Sequence, residues 1–273
     1  MNLKQKTLGS MVGRVLLSGR DRIELVAAAL NSPERVGTIA NDQLASRLVV
    51  NLCASEKIFL DVGAHIGSVI AAVRHHDPSI QIIAIEAMPD KVAALRKKFP
   101  GVRIHSCAVG DYVGEVPFFI DTERSGYSSL ISAGHTLDAR VQITVPIRRL
   151  DDFVAAEGVD VIKVDVEGAE LGVFRGSQKI LASSQPVIMF ESAPGDANGL
   201  GFSKEDMWHF FDERDYDLLI PNRVAHDGVG LDLNGFIESH LYPRRTTNYF
   251  AVPKKRRIEI RDRSRNILNM VVN

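Results

Sequence analysis

Five short apolar runs restrict what this chain can fold into: IFLDV at 58–62, IIAIE at 82–86, VRIHSC at 102–107, VDVIKVD at 159–165 and PVIMFE at 186–191. They lack the apolar/polar alternation of a half-exposed strand, so both faces must be covered, as in a parallel sheet. Each run ends in an acid, a turn or a glycine, and helical segments follow most of them, at 67–76, 89–99, 169–183 and 203–213. That succession predicts an α/β chain with a doubly wound, Rossmann-like, mostly parallel sheet. With 273 residues, 45% of them apolar, the chain can supply the core.

The flanking segments read differently. Residues 10–55 carry apolar side chains at helical spacing, as in RIELVAAALN and NDQLASRLVVNLCA, with a break at Asn31, Ser32 and Pro33. This predicts a helical extension over 1–56 ahead of a main domain over 57–253. Between 114 and 150, EVPFFI and VQITVPI, with Val141, Ile143, Val145 and Ile147 alternating, predict a hairpin insertion that overhangs the sheet's edge. Its tip is ERSGYSSLIS. YDLLIP (216–221) and TTNYFAVP (246–253) predict two further strands, joined by a long irregular loop with His226 and Asp227, of a length that often serves function. The final segment, 254–273, begins KKRRIEIRDRSR, seven basic residues against two acidic, and is expected to be a solvated amphipathic tail.

Composition removes several classes of function. Lys and Arg total 33 against 34 Asp and Glu, a net charge of -1, so there is no overall attraction to nucleic acid or membrane. No apolar run approaches the ~18 residues of a membrane helix, and Gly13 and Arg14 cut the N-terminal apolar stretch short of a signal-peptide core. A cytoplasmic location is expected. Cys53 and Cys107 fit no ligand spacing, which argues against a zinc site or a disulfide framework.

FLDVGAHIGS, at 59–68, is the turn after the first strand, which in a doubly wound sheet faces the ligand crevice. Gly63 and Gly67 are expected to admit positive φ and to let another molecule approach the backbone. The dinucleotide pattern G-x-G-x-x-G fails, because His65 and Ser68 stand where its second and third glycines belong, and no Walker loop occurs. Two acids remain: Asp61, two residues before Gly63, and Glu86, at the end of the next strand. A carboxylate beside the loop repels phosphate and attracts an amino group, while one at the next strand's end can accept from ribose hydroxyls. S-adenosylmethionine carries both groups. His65 is expected to occupy a turn position where His tolerates unusual φ.

A second group of acids, Asp165, Glu167 and Glu170, lies in IKVDVEGAELGVFRGS. The helix dipole accounts for Glu167 and Glu170, but not for Asp165, which ends a buried strand at the same edge as Asp61, Glu86 and Glu191. DVGAHIG, the strand-end acid, SGYSSL and IKVDVEGAE in this order resemble the FkbM family of S-adenosylmethionine-dependent methyltransferases, over roughly 57–192. His65 departs from the family, which usually has Asn there.

The resemblance implies a class I methyltransferase fold and methyl transfer to a hydroxyl of a sugar, glycoconjugate or polyketide-type natural product. It implies that Asp61, Gly63, Ala64, His65, Gly67, Glu86 and Ala87 hold the methionine and ribose parts, with Cys107 and Ala108 beside the adenine. Asp165 is expected at the cofactor too, and Ser128 and Ser129 to help close the site. An alcohol needs a base to take its proton, and Asp165, Glu167 and Glu191 are the candidates. Activation by a carboxylate-held divalent metal is a rival means, but no spacing supports it and no metal site is expected. DVEG stands where amino-methylating DNA enzymes usually carry an Asn-Pro-Pro-Tyr-like loop, so the expected partner is a small-molecule or glycan acceptor and not nucleic acid; a homodimer is possible. The competing readings are a nicotinamide-dependent oxidoreductase and a non-catalytic scaffold.

Overall fold

The computed structural model of the chain describes residues 11–121, 130, 140–192 and 202–270. Its strands are β1 (Ile58–Val62), β2 (Gln81–Glu86), β3 (Arg103–Ser106), β4 (Ala108–Val109), β5 (Gly114–Asp121), β6 (Arg140–Arg148), β7 (Val159–Val164), β8 (Val187–Glu191), β9 (Tyr216–Leu219) and β10 (Asn248–Pro253). Its helices are α1 (Met11–Asn31), α2 (Val36–Leu52), α3 (Ser68–His76), α4 (Pro89–Lys98), α5 (Glu170–Arg175), α6 (Gln178–Ser184), α7 (Lys204–Asp212), α8 (Leu233–Ser239) and α9 (Arg257–Leu268).

A seven-stranded sheet runs β3-β2-β1-β7-β8-β10-β9. β10 is antiparallel to both neighbours, and the other pairs are parallel. The chain steps outward from β1 to β2 to β3, then returns to lay β7 against the other side of β1. Between β1 and β7 lies the switch point, where the strands' carboxyl ends open a crevice.

The unalternating runs supply two cores at once. Leu60, Val62, Ile83, Ile85, Ile162 and Val164 point to the face covered by α5, α6, α7 and α8, while Phe59, Ile82, Ala84 and Val161 point to the face covered by α2, α3, α4 and α9. Each apolar strand therefore removes side chains from water on both sides, at roughly 25 cal/mol per Å² buried.

The insertion forms a second sheet, β4-β6-β5, with β5 and β6 antiparallel. It does more than overhang an edge: Phe118, Val145 and Ile147 pack on Met88 and Ala108, which follow β2 and begin β4, and so wall the crevice. Most of ERSGYSSLIS, with Ser128 and Ser129, lies outside the described residues. The helix expected over 169–183 is two helices, separated at Gly176 and Ser177; the backbone of Gly110 passes so close there that a Cβ on Gly176 would sit 2.0 Å from the Gly110 carbonyl oxygen.

Two expectations need correction. The 222–245 segment is not irregular throughout: it contains α8, capped by Asp232, whose side chain accepts the Gly235 N–H at 2.7 Å. The basic C-terminal segment is not a free tail, since α9 buries Ile260 and Ser264 and its Arg261, Arg263 and Arg265 are ion-paired. Arg261 and Arg265 bind Asp227, which ties that loop to α9. Arg256 and Arg263 reach buried Asp160 on β7 at 2.7 and 3.3 Å, and the Ala54 N–H donates to the same carboxylate at 2.7 Å.

Asp160 thus joins the end of α2, the start of β7 and α9. Asp160→Ala is expected to cost about 1–3 kcal/mol, because three partly buried donors lose their shared acceptor, although Glu259 still pairs with both arginines. A chemical denaturation series checks this, and a loss below about 0.5 kcal/mol would contradict it.

Candidate active site

Parallel pairing of β1 with β7 sets Asp61 directly beside Lys163. The two residues share a sheet face, and both are buried, 1% and 5% exposed. Lys163 Nζ lies 3.4 Å from Asp61 Oδ1 and 3.3 Å from Asp165 Oδ2, and donates a hydrogen bond of 2.8 Å to the Gly63 carbonyl. Burial alone would push this ammonium toward its neutral form; Asp61 and Asp165 more than reverse that and hold it charged above its ordinary range. One cation therefore pins the glycine loop after β1 to the acidic loop after β7.

Both loops turn sharply. Gly63, His65 and Gly67 have φ of 80°, 49° and 77°, and Glu167 and Gly168 have 57° and 99°. The positive φ expected of Gly63 and Gly67 is present, and packing gives a second reason for both glycines. A Cβ on Gly63 would lie 1.8 Å from the Asp165 carbonyl oxygen, and one on Gly67 2.3 Å from the Phe99 ring. The protein itself comes that close, so packing demands these glycines before any ligand does. Glu86 then stitches the glycine loop to β2: its carboxylate accepts the His65 N–H at 2.8 Å and the Met88 N–H at 2.9 Å.

A cavity of about 350 Å³ opens at these strand ends. Gly63, His65, Glu86, Ala87, Cys107 and Ala108 line it, as do Asp165, Glu167 and Glu191 on the far side. Asp61, Ala64 and Gly67 do not: Asp61 lies behind the wall, its carboxylate turned to Lys163. The reading of the sequence passed over Lys163, Met88, Phe118 and Leu130. A lysine inside the otherwise apolar VDVIKV was the signal for the first, because a buried ammonium needs acids beside it. The others belong to the insertion's apolar contact, which no local pattern announces.

The two ends of the cavity differ chemically. Ile85, Met88, Ala108, Val109, Phe118 and Leu130 make one end apolar. At the other, ligand oxygens of Asp165, Glu167 and Glu191 lie within 4.8 Å of one another, a spacing that could also hold a divalent cation. No Lys or Arg is among the described lining residues, and burial, with Lys91 and Lys163 nearby, pushes His65 down to about 4, so its imidazole is neutral.

Neighbouring charges divide the protons among the acids. Burial works to raise Asp165, but Lys163 and a hydrogen bond from Glu191 hold it below the usual carboxylate range. Burial and the Asp165 charge push Glu191 up to about 10, so Glu191 keeps the proton that the pair shares. Glu167 is raised to about 7 by burial, Asp165 and Glu170. Glu170, also raised to about 7 by burial, accepts the Val166 and Gly168 N–H groups at 3.2 and 3.1 Å and shapes the loop.

Replacing Lys163 strands two carboxylates, so Lys163→Met should destabilise the fold by about 3–5 kcal/mol at pH 7. The deficit should shrink as pH falls toward 5 and the carboxylates take up protons, and the double variant with Asp61→Asn should recover part of it. Denaturation at the two pH values tests both; a deficit independent of pH would contradict the ion-pair account.

Comparison with known proteins shows the family. The family model described as the Methyltransferase FkbM domain matches residues 61–218, more than half of the chain. Methyltransferase sdnD of Sordaria araneosa is 26% identical over 157 residues, 45% of this chain and 61% of that protein. Methyltransferase 1 of Beauveria bassiana is 26% identical over 145 residues, 44% of this chain and 58% of that protein. The matches thus span about three-fifths of these relatives' own length. Among solved structures, a precorrin-6y C5,15-methyltransferase from Geobacter metallireducens overlaps 64% of this chain and 72% of its own at 15% identity, with a TM-score of 0.38, too loose an overlap to argue from. On the match over 61–218, from the end of β1 to β9, the chain belongs to the FkbM methyltransferase family.

Proposed function

We propose that the chain transfers the methyl group of S-adenosylmethionine to a hydroxyl oxygen of a sugar, glycoconjugate or polyketide-type acceptor. One observation carries the reading: a single cavity has an apolar wall at one end, Glu86 between, and three clustered carboxyls at the other, with no Lys or Arg among the described lining residues. A cofactor with a flat adenine, a ribose and two positive centres suits that gradient, and a pyrophosphate does not. When bound, S-adenosylmethionine supplies an electrophilic methyl group on a sulfonium.

The chain's own groups do the rest. Met88, Ala108 and Phe118 flank the base, and Glu86 keeps lone pairs for ribose hydroxyls beyond its two backbone bonds. Asp61 acts through Lys163, holding the loop in place from behind the wall. Asp165 stays ionised and attracts positive charge, while Glu191, whose one proton is donated to Asp165, keeps its other oxygen to accept from an acceptor hydroxyl. Glu167 takes the hydroxyl proton, because a base titrating near 7 combines a useful ionised fraction with real proton affinity. Its φ of 57° is backbone strain of the kind held at functional positions.

S-adenosylhomocysteine at a hundred times its dissociation constant should stabilise the protein by about 2.7 kcal/mol and raise the melting midpoint by roughly 5–10 °C. NADH should leave the midpoint unchanged. Glu86→Gln should weaken S-adenosylhomocysteine about 10- to 100-fold, the value of a charge-assisted bond. A shift with NADH alone would overturn the reading.

The methyl-transfer rate should rise with pH, inflect near 7 and level off above, and Glu167→Gln should lower it by about 10²–10⁴ and remove the inflection. Stability should run the opposite way. Glu167 and Glu170 bind their protons more tightly folded than unfolded, so their contribution is fullest below pH 4.5 and is lost as pH rises through about 7. A pH–rate profile beside a pH–stability curve checks both signs.

A further inference from the structure

A second cavity, of about 670 Å³, lies between the N-terminal helices and the loop leading into β10. Asp21 and Glu24 of α1, Thr38 and Gln43 of α2, and Tyr242 and Arg244 of the loop are among its lining residues. Its position follows from the sheet. β10 runs antiparallel to β8 with Asn248 opposite Glu191, and the Ser192 N–H donates to the Thr247 carbonyl at 2.9 Å. Thr247 lines this outer cavity and Glu191 lines the inner one, so the two walls meet across a single strand pair. α2 fixes the loop there: Asp42 accepts from Thr246 Oγ1 at 2.8 Å and from the Thr247 N–H at 2.9 Å, and Asn41 Nδ2 donates to the Arg245 carbonyl at 2.9 Å.

We infer that this outer cavity is the distal part of the acceptor site and takes a neutral, hydroxyl-rich chain of the oligosaccharide class, an inference that rests on the methyltransferase reading above. Carboxylates, hydroxyls, an amide and two guanidinium groups present both donors and acceptors, which suits ligands whose every hydroxyl does both. Tyr242 is 70% exposed, yet its hydroxyl is tethered, donating to Glu34 at 2.6 Å, so a flat ring is held out for a sugar face to pack on. Ile39 and Pro243 are the aliphatic side chains of the wall, too few for an apolar macrocycle. Asp21, Glu24, Glu34 and Asp42 outnumber Arg35 and Arg244, which disfavours phosphorylated or uronic acceptors.

The test is transfer of labelled methyl from S-adenosylmethionine to neutral gluco-, manno- and rhamno-oligosaccharides of one to four units, beside calorimetry with S-adenosylhomocysteine. For at least one series kcat/KM should rise tenfold or more from one unit to four. In Tyr242→Ala that ratio should collapse to near one while S-adenosylhomocysteine binds as to wild type, and Tyr242→Phe, which keeps the ring but loses its tether to Glu34, should give a ratio between the two. Equal use of one- and four-unit acceptors would overturn the inference. So would the absence of any oligosaccharide turnover by protein that binds S-adenosylhomocysteine, or a preference for phosphorylated or apolar acceptors. Failure of the wild type to bind S-adenosylhomocysteine would remove the methyltransferase reading itself and the inference with it.

Discussion

Lys163 sits where two loops from adjacent parallel strands must be held within contact of each other, and the geometry of the strand-end cavity depends on its three interactions. Its ammonium faces Asp61, Asp165 and the Gly63 carbonyl at once. An isolated charge in this position would be expelled or neutralised; flanked by two carboxylates it is stable and leaves the group with a net negative charge. Removing any one member uncovers the others, so the site is fixed as a unit and not residue by residue.

That surplus negative charge sets the chemistry of the cavity. Lys163 keeps Asp165 ionised, burial and ionised Asp165 make Glu191 hold its proton, and burial with the same charge raises Glu167 into the neutral range. Three carboxyls close in space thus take three different protonation states, as fits an electrostatic anchor, a hydrogen-bond donor and a base. An apolar wall lent by a separate small sheet completes the gradient along which a cationic, aromatic-tipped cofactor would lie.

Much of the fold was legible because strands buried on both faces must be apolar throughout, and β1, β2, β7 and β8 write that requirement plainly. The acids that end those strands were legible for the same reason, as the polar exceptions. Where the reading fell short, a contact between distant segments decided the outcome. Gly176 has no side chain because Gly110 passes beside it. The basic C-terminal segment is a docked helix because Asp160, about a hundred residues away, neutralises two of its arginines. Gly63 is a glycine because Asp165 leaves no room, which composition and spacing could not reveal. Lys163 was visible as an anomaly in an apolar strand, and only the β1–β7 register shows what it is for.

The most direct measurement is a crystal structure of the protein with S-adenosylhomocysteine. The account predicts the adenine against Met88, Ala108 and Phe118, the ribose hydroxyls on Glu86, and the sulfur facing Asp165 and Glu167, with the Lys163 contacts unchanged. A ligand bound away from Glu86, or a Lys163 side chain released from Asp61 and Asp165 on binding, would contradict it.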